Sequence, residues 1–258
     1  MNGEFPLKRL EYRDEFDGRR YADLPRSMQR RIGETQFVVN VIQPGTPPEV
    51  MFNIFRRINT GGMPLNGQEI RHALNPGPVR KYLKDLAESK EFAEATDRSI
   101  RPKRMDDRAC VLRFLAFHME PWEQYEGGSL EGHRERAMKA INAMAPERQR
   151  AHAEDFRKAM RAARSIFGND AFRRRKSPEH SRRPISFALF ETWSVQLARC
   201  TPEQIERLIE RRGEVQDRFM TLLNTDQEFE KAISVSTGMS KRIRKRFAAI
   251  QELVQELI

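Results

Sequence analysis

The chain has 258 residues, 38% hydrophobic and 33% charged, enough for one large domain or two modest ones with real cores. No stretch approaches the roughly 18 apolar residues of a membrane span, and the opening MNGEFPLKRLEYRDEF lacks the apolar core of a secretory signal. Two cysteines, Cys110 and Cys200, exclude a disulfide scaffold, so free buried thiols and a cytoplasmic location are expected. The 47 Lys and Arg against 37 Asp and Glu leave a net charge of +10, which favours polyanionic partners such as DNA.

In chain order, Asp17-Gly18 reads as a turn and Pro25 as the start of a short helix. Residues 36–43, QFVVNVIQ, form the only convincing strand, closed by Pro44-Gly45. Phe37, Val39 and Val41 fall on one face and Val38, Asn40 and Ile42 on the other. Both faces are mostly apolar, as a strand covered on both sides requires. One strand cannot bury a sheet alone, so its partners are either hidden in residues 1–46 or lie outside this chain.

Pro47 and Pro48 open a helix with Met51, Ile54, Phe55 and Ile58 on its apolar face. That helix breaks at Thr60-Gly61-Gly62 before helical spacing resumes toward Leu74. Two readings of the break compete. In one, Gly61 or Gly62 supplies the positive φ of a helix-to-helix turn. In the other, backbone N–H groups and Arg56, Arg57 and Arg71 converge on a phosphate. Asn66, with Glu69 three residues on, fits a capping box, which is compatible with either.

Asn75-Pro76-Gly77-Pro78 marks a break, and the domain boundary is expected there, between residues 1–75 and 76–258. Everything beyond reads as helix. Residues 107–119, DRACVLRFLAFHM, are apolar almost all round and predict a buried central helix. Further helices are expected at about 129–145, 147–167, 184–199 and 202–222. A last helix from Ser240 carries an apolar seam of Ile243, Phe247, Ile250, Val254 and Leu257.

Candidate chemistry outside the glycine turn is sparse. Asp106 and Asp107 open a helix, where first-turn acids are ordinary. None of the five histidines stands four residues from another, so no zinc site is expected, and no Ser/His/Asp or Cys/His pattern appears. Two basic clusters remain. One loop carries Arg173, Arg174, Arg175, Lys176, Arg182 and Arg183, and a helix start carries Lys241, Arg242 and Arg244. Cations at a helix N-terminus oppose the macrodipole, so that second cluster calls for a partner or a neighbouring acidic surface, unless it is simply solvated. No aromatics interleave the arginines, so stacking on single strands is not indicated.

The segments YADLP (21–25), FVVNVI (37–42), IFRRINTGGMPLNGQEIRHAL (54–74), RMDDRACVLRFLAF (104–117) and FEKAISVSTGMSKRIRKRFAAI (229–250) together resemble the DUF262 family. That family takes in the N-terminal half of the GmrSD modification-dependent restriction endonucleases. The resemblance implies an α+β, mostly α chain, with a partial ParB/sulfiredoxin-like N-terminal region followed by a helical bundle. It implies a nucleotide-sensing or DNA-recognition role in defence against foreign DNA, with a nucleoside triphosphate and Mg²⁺ as ligand. Arg57, Asn59, Thr60, Gly61, Gly62, Glu69 and Arg71 would belong to the segment enclosing the phosphates. The family's Asp-Gly-Gln-Gln-Arg box is missing here, as is any HNH nuclease pattern, since His180 has no second His after it. Independent NTPase or nuclease activity is therefore not expected. A partner subunit would supply the missing motif, or the chain is a fragment of a longer DUF262 protein. A DNA- or protein-binding module without enzymatic activity is the alternative.

Overall fold

The computed structural model describes the chain except residues 1–4, 40, 42, 44, 48, 49, 52, 55, 56, 58–64 and 126–128. The chain divides into two compact units, residues 1–46 and 47–258.

The first unit holds two 3₁₀ turns, Asp14–Phe16 and Tyr21–Asp23, and one helix, α1 (Arg26–Gly33). The turn expected at Asp17-Gly18 forms. Gly18 sits at φ +81° and donates its N–H to the Leu7 carbonyl, while Leu7 donates to Arg19, both at 2.8 Å. Pro25 precedes α1, and the Gln29 side chain donates back to the Leu24 carbonyl at 2.9 Å, fixing the entry.

The strand expected at 36–43 does not form among the described residues. Phe37, Val38, Val39 and Val41 are 74, 92, 75 and 73% exposed. The physical reason is the one that made a lone strand doubtful: without a ladder partner, its backbone groups are better satisfied by water. No strand occurs among the described residues, and the β part of the expected α+β class is not seen. The nearest β feature is one antiparallel bridge between Arg173 and Ile185. The chain is mostly helical.

In the second unit, described residues between 50 and 57 are helical. There follow α2 (Gly67–Leu74), α3 (Val79–Ala87), α4 (Lys90–Ala95), α5 (Asp106–Met119), α6 (Leu130–Ala143) and α7 (Pro146–Phe167). Then come α8 (Phe187–Arg199), α9 (Pro202–Glu210), α10 (Arg212–Thr225), α11 (Gln227–Ser234) and α12 (Ser240–Gln255). The helix expected over 202–222 is two helices, broken at Arg211, whose guanidinium donates to the Leu257 carbonyl at 2.9 Å.

Helix α5 is the central element, packed by α3, α6 and α8. Cys110, Val111, Leu112, Phe114, Leu115 and Phe117 are all buried on it, each large side chain contributing about 1.5–3 kcal/mol of hydrophobic stabilisation. Helix α7 packs on α8, and α12 buries its seam against α8 and α11. Both cysteines are free and buried. The second unit begins at residue 47, ahead of the boundary expected near residue 75, and α2 joins its bundle through buried Ile70 and polar contacts to Arg104 and Glu131. No described helix is long and apolar enough to cross a membrane.

Candidate anion-binding site

Helix α2 starts as its sequence dictates. The Asn66 side chain accepts from the N–H groups of Gln68 and Glu69 at 2.9 Å, and Glu69 accepts from Asn66 N–H at 2.7 Å, a complete capping box. The Asn66 amide also donates to the Arg104 carbonyl at 2.7 Å. Arg104 grips Glu69 through Nε at 2.9 Å and Nη2 at 2.8 Å. Partial burial opposes ionisation of Glu69, but the bonds from Arg104 and Asn66 outweigh it and hold the carboxyl below its usual range. Glu69 is thus committed to fixing α2.

Arg71, two residues further, is buried between Gln68, which accepts from its Nε at 3.1 Å, and Glu131 of α6, which pairs with its Nη1. Arg134, also buried, shares Glu131 at 3.1 Å. On the other side, Glu191 of α8 is wholly buried between Arg246 of α12 and Arg113 of α5, the latter at 3.2 Å. Arg246 further donates to the Thr237 carbonyl at 2.7 Å, and Arg113 lies 5.0 Å over the Phe187 ring.

These groups act as one electrostatic cluster. Burial, then the fields of Arg134 and Arg113, push the Arg71 guanidinium down to about 9. Burial, then Arg113, push Arg134 down to about 10, with Glu191 opposing and Arg246 adding to the push. Both stay cationic at pH 7. Burial also opposes the Glu191 charge, yet Arg246, Arg113 and Arg134 outweigh it and hold its carboxyl below the usual range. Four guanidiniums (71, 113, 134 and 246) face two carboxylates (131 and 191), a surplus of two positive charges. Glu135, whose field reaches Arg71, is taken up by Lys139 at 3.3 Å. Arg113 Nε, Arg246 Nε and Gln68 Nε2 are buried without a hydrogen-bond partner, and all three are donors. Surplus buried cations with spare donors are costly unless an anion meets them.

Of the phosphate-site residues expected from sequence, Glu69 and Arg71 lie on α2, whereas Asn59, Thr60, Gly61 and Gly62 fall outside the described residues and Arg57 is exposed. The cluster's other members, Arg113, Arg134, Glu131, Glu191 and Arg246, come from four further elements and were not anticipated. One signal was available: Glu191 sits inside FALFETWSVQLA and Arg113 inside VLRFLAF, and a charge ringed by apolar residues must find a partner on folding.

The basic clusters are largely absorbed within the fold. Arg173 is buried and donates to Asn169 O at 3.0 Å, Arg183 O at 2.6 Å and Ser99 Oγ at 2.6 Å. Arg174 pairs with Glu230 at 3.6 Å, Arg175 with Asp170, and Arg182 with Asp97 at 2.7 Å. Arg242 pairs with Glu228 at 3.0 Å, Lys245 with Asp226 at 2.6 Å, and Arg244 donates to the Tyr125 carbonyl at 3.2 Å. The acidic surface that the helix start called for is therefore the neighbouring helix α11 and its cap. Arg183 and Lys241 are exposed, and Lys176 half-buried, with no ion pair among the described residues.

Comparison of the chain with protein-family profiles, curated proteins and solved structures found no match.

Proposed function

We propose that the chain is a DUF262-type nucleotide-sensing and DNA-recognition component of defence against foreign DNA, which receives nucleoside triphosphate phosphates at the α2–α5–α6–α12 arginine cluster. The observation that supports this reading is the surplus of two guanidinium charges, carried by buried Arg71, Arg134 and Arg246 and partly buried Arg113, with unpartnered donors on Arg113 and Arg246. Such donors fit phosphate oxygens, which accept charge-assisted and bidentate bonds. Arg71, Arg113 and Arg134 would hold the phosphates, while Arg246, anchored by backbone carbonyls, keeps Glu191 in place. Any Mg²⁺ would arrive on the phosphates, since a cationic cluster repels it.

The reading is one of binding without turnover by this chain alone. The test is Arg134→Met, which keeps side-chain volume and removes one of the mutually repelling charges. Nucleoside triphosphates and inorganic triphosphate should raise the melting temperature of the wild type, less so at high salt, with no phosphate release. The variant should be as stable as the wild type without ligand, or more so, and lose that ligand response. An unchanged ligand response in the variant, or none in the wild type at millimolar ligand, overturns the proposal. The exposed Phe37, Val38, Val39 and Val41 favour the second reading, a protein-binding module, in which this segment pairs with another chain.

A further inference from the structure

Among the described residues, one group of histidine and carboxylate side chains converges closely enough to hold a metal ion, and it lies apart from the arginine cluster. His118, in the last turn of α5, meets His152 and Asp155 of α7, and one ligand atom from each lies within 4.8 Å of the others. His152 and Asp155 stand three residues apart, so they share one face of α7. His118 Nε2 is 3.1 Å from Asp155 Oδ2. The two imidazoles meet edge to face with ring centres 5.1 Å apart.

The surroundings hold this geometry. The His118 ring stacks on Phe114, with centres 4.9 Å apart, and Phe114 packs on Phe156, one residue beyond Asp155, at 5.1 Å. The aromatic floor fixes the two helices against each other and excludes water from one side of the site. Of the nearby cations, Lys158 donates to the Cys200 carbonyl at 3.1 Å and also stands 3.5 Å from Asp155, Arg199 pairs with Glu123 at 3.0 Å, and the field of exposed Arg148 reaches His152. Meanwhile His152 Nδ1 is buried with no hydrogen-bond partner. A buried imidazole nitrogen left without a partner costs about 1–3 kcal/mol, and the His118–Asp155 contact does nothing to relieve it.

We propose that His118, His152 and Asp155 form a binding site for a first-row divalent transition metal, with zinc as its natural probe. Two imidazoles and one carboxylate are a donor set that suits zinc, and three protein ligands leave a fourth position for water or an incoming group. Ligands on a tetrahedral zinc at about 2.0–2.1 Å stand about 3.3 Å apart. The His118–Asp155 spacing already matches, and His152 closes the set by a side-chain rotation. The spacing rule for zinc sites overlooks it in the sequence because the two histidines come from different helices, 34 positions apart (152 minus 118).

The experiment is competition for Zn²⁺ against a chromophoric chelator on the full chain, with Co²⁺ absorption as the second readout. One zinc per chain should bind at micromolar free metal or below, and Co²⁺ should give visible ligand-field bands. His118→Asn and His152→Asn should each weaken zinc by at least about tenfold, the lower end of what even supporting residues of metal sites cost. Asp155→Asn, at a half-exposed position, gives a third variant should a histidine variant fail to fold. His72→Asn should bind like the wild type. Zinc affinity weaker than about 100 μM in the wild type, or affinity unchanged in the folded ligand variants, overturns the assignment.

Discussion

Glu191→Gln is the most informative single change in this molecule. Glu191 is wholly buried and is bonded to both Arg246 and Arg113, the latter at 3.2 Å. The substitution preserves shape but turns half of the acceptor into an amide donor facing guanidiniums. It raises the cluster's positive surplus from two to three, since four guanidiniums then face only Glu131. Breaking one side of a buried pair costs about 3–5 kcal/mol. For a unit spanning residues 47–258, each kcal/mol lowers the melting temperature by about 2–4 °C, so a drop of about 6–20 °C is expected. Fluorescence of buried Trp193, on the same helix, reports the transition. The pH dependence gives an independent check. The folded carboxyl lies below its unfolded value, so its contribution is fully present above about pH 4.3 and is lost as pH falls through the folded value. The gap between wild type and variant should therefore be widest above that pH and close on the acid side. A cost under about 1 kcal/mol, the size of an exposed pair, would refute the buried-cluster argument.

Four further outcomes follow from particular contacts. Asn66→Ala removes a double cap and a bond to the Arg104 carbonyl, and should cost about 1–2 kcal/mol in chemical denaturation; a change below about 0.5 kcal/mol would mean α2 is held by other contacts. Gly77→Ala places a Cβ 2.6 Å from the Asn142 carboxamide oxygen at φ +125°, so thermal unfolding should show at least about 1 kcal/mol of loss. Adding Asn142→Ala removes the clash but not the backbone strain, and full rescue would show that φ is unimportant there. Arg173→Ala should destabilise the fold without changing the salt slope of DNA binding, whereas Arg183→Ala with Lys241→Ala should flatten that slope by about 0.9 for each phosphate no longer neutralised; an unaltered slope in the double variant removes these two from any DNA interface. In hydrogen exchange, residues 36–39 should exchange fast and 107–119 should be the most protected; equal protection would contradict the exposed valines.

Periodicity and capping determined most of the helices on their own. The all-round apolar run at 107–119, the Asn66–Glu69 pair and the seam from Ile243 to Leu257 carry their structure locally, because helix hydrogen bonds close within four residues and one face needs only something apolar to meet. The segment QFVVNVIQ has a strand's composition, but a strand needs a ladder partner far away in sequence, and the first unit offers none among its described residues. Charge behaved likewise. The sequence shows 47 cations and two conspicuous runs of them, yet it does not show that Arg173 is buried against Ser99 or that Arg242 and Lys245 lie on an acidic neighbour. Nor does it show that Arg71, Arg113, Arg134 and Arg246, from four helices, share two carboxylates, or that His118 meets His152 and Asp155. Electrostatic partners and metal ligands are chosen by distance in space, which only the packing of α2, α5, α6, α7, α8 and α12 sets.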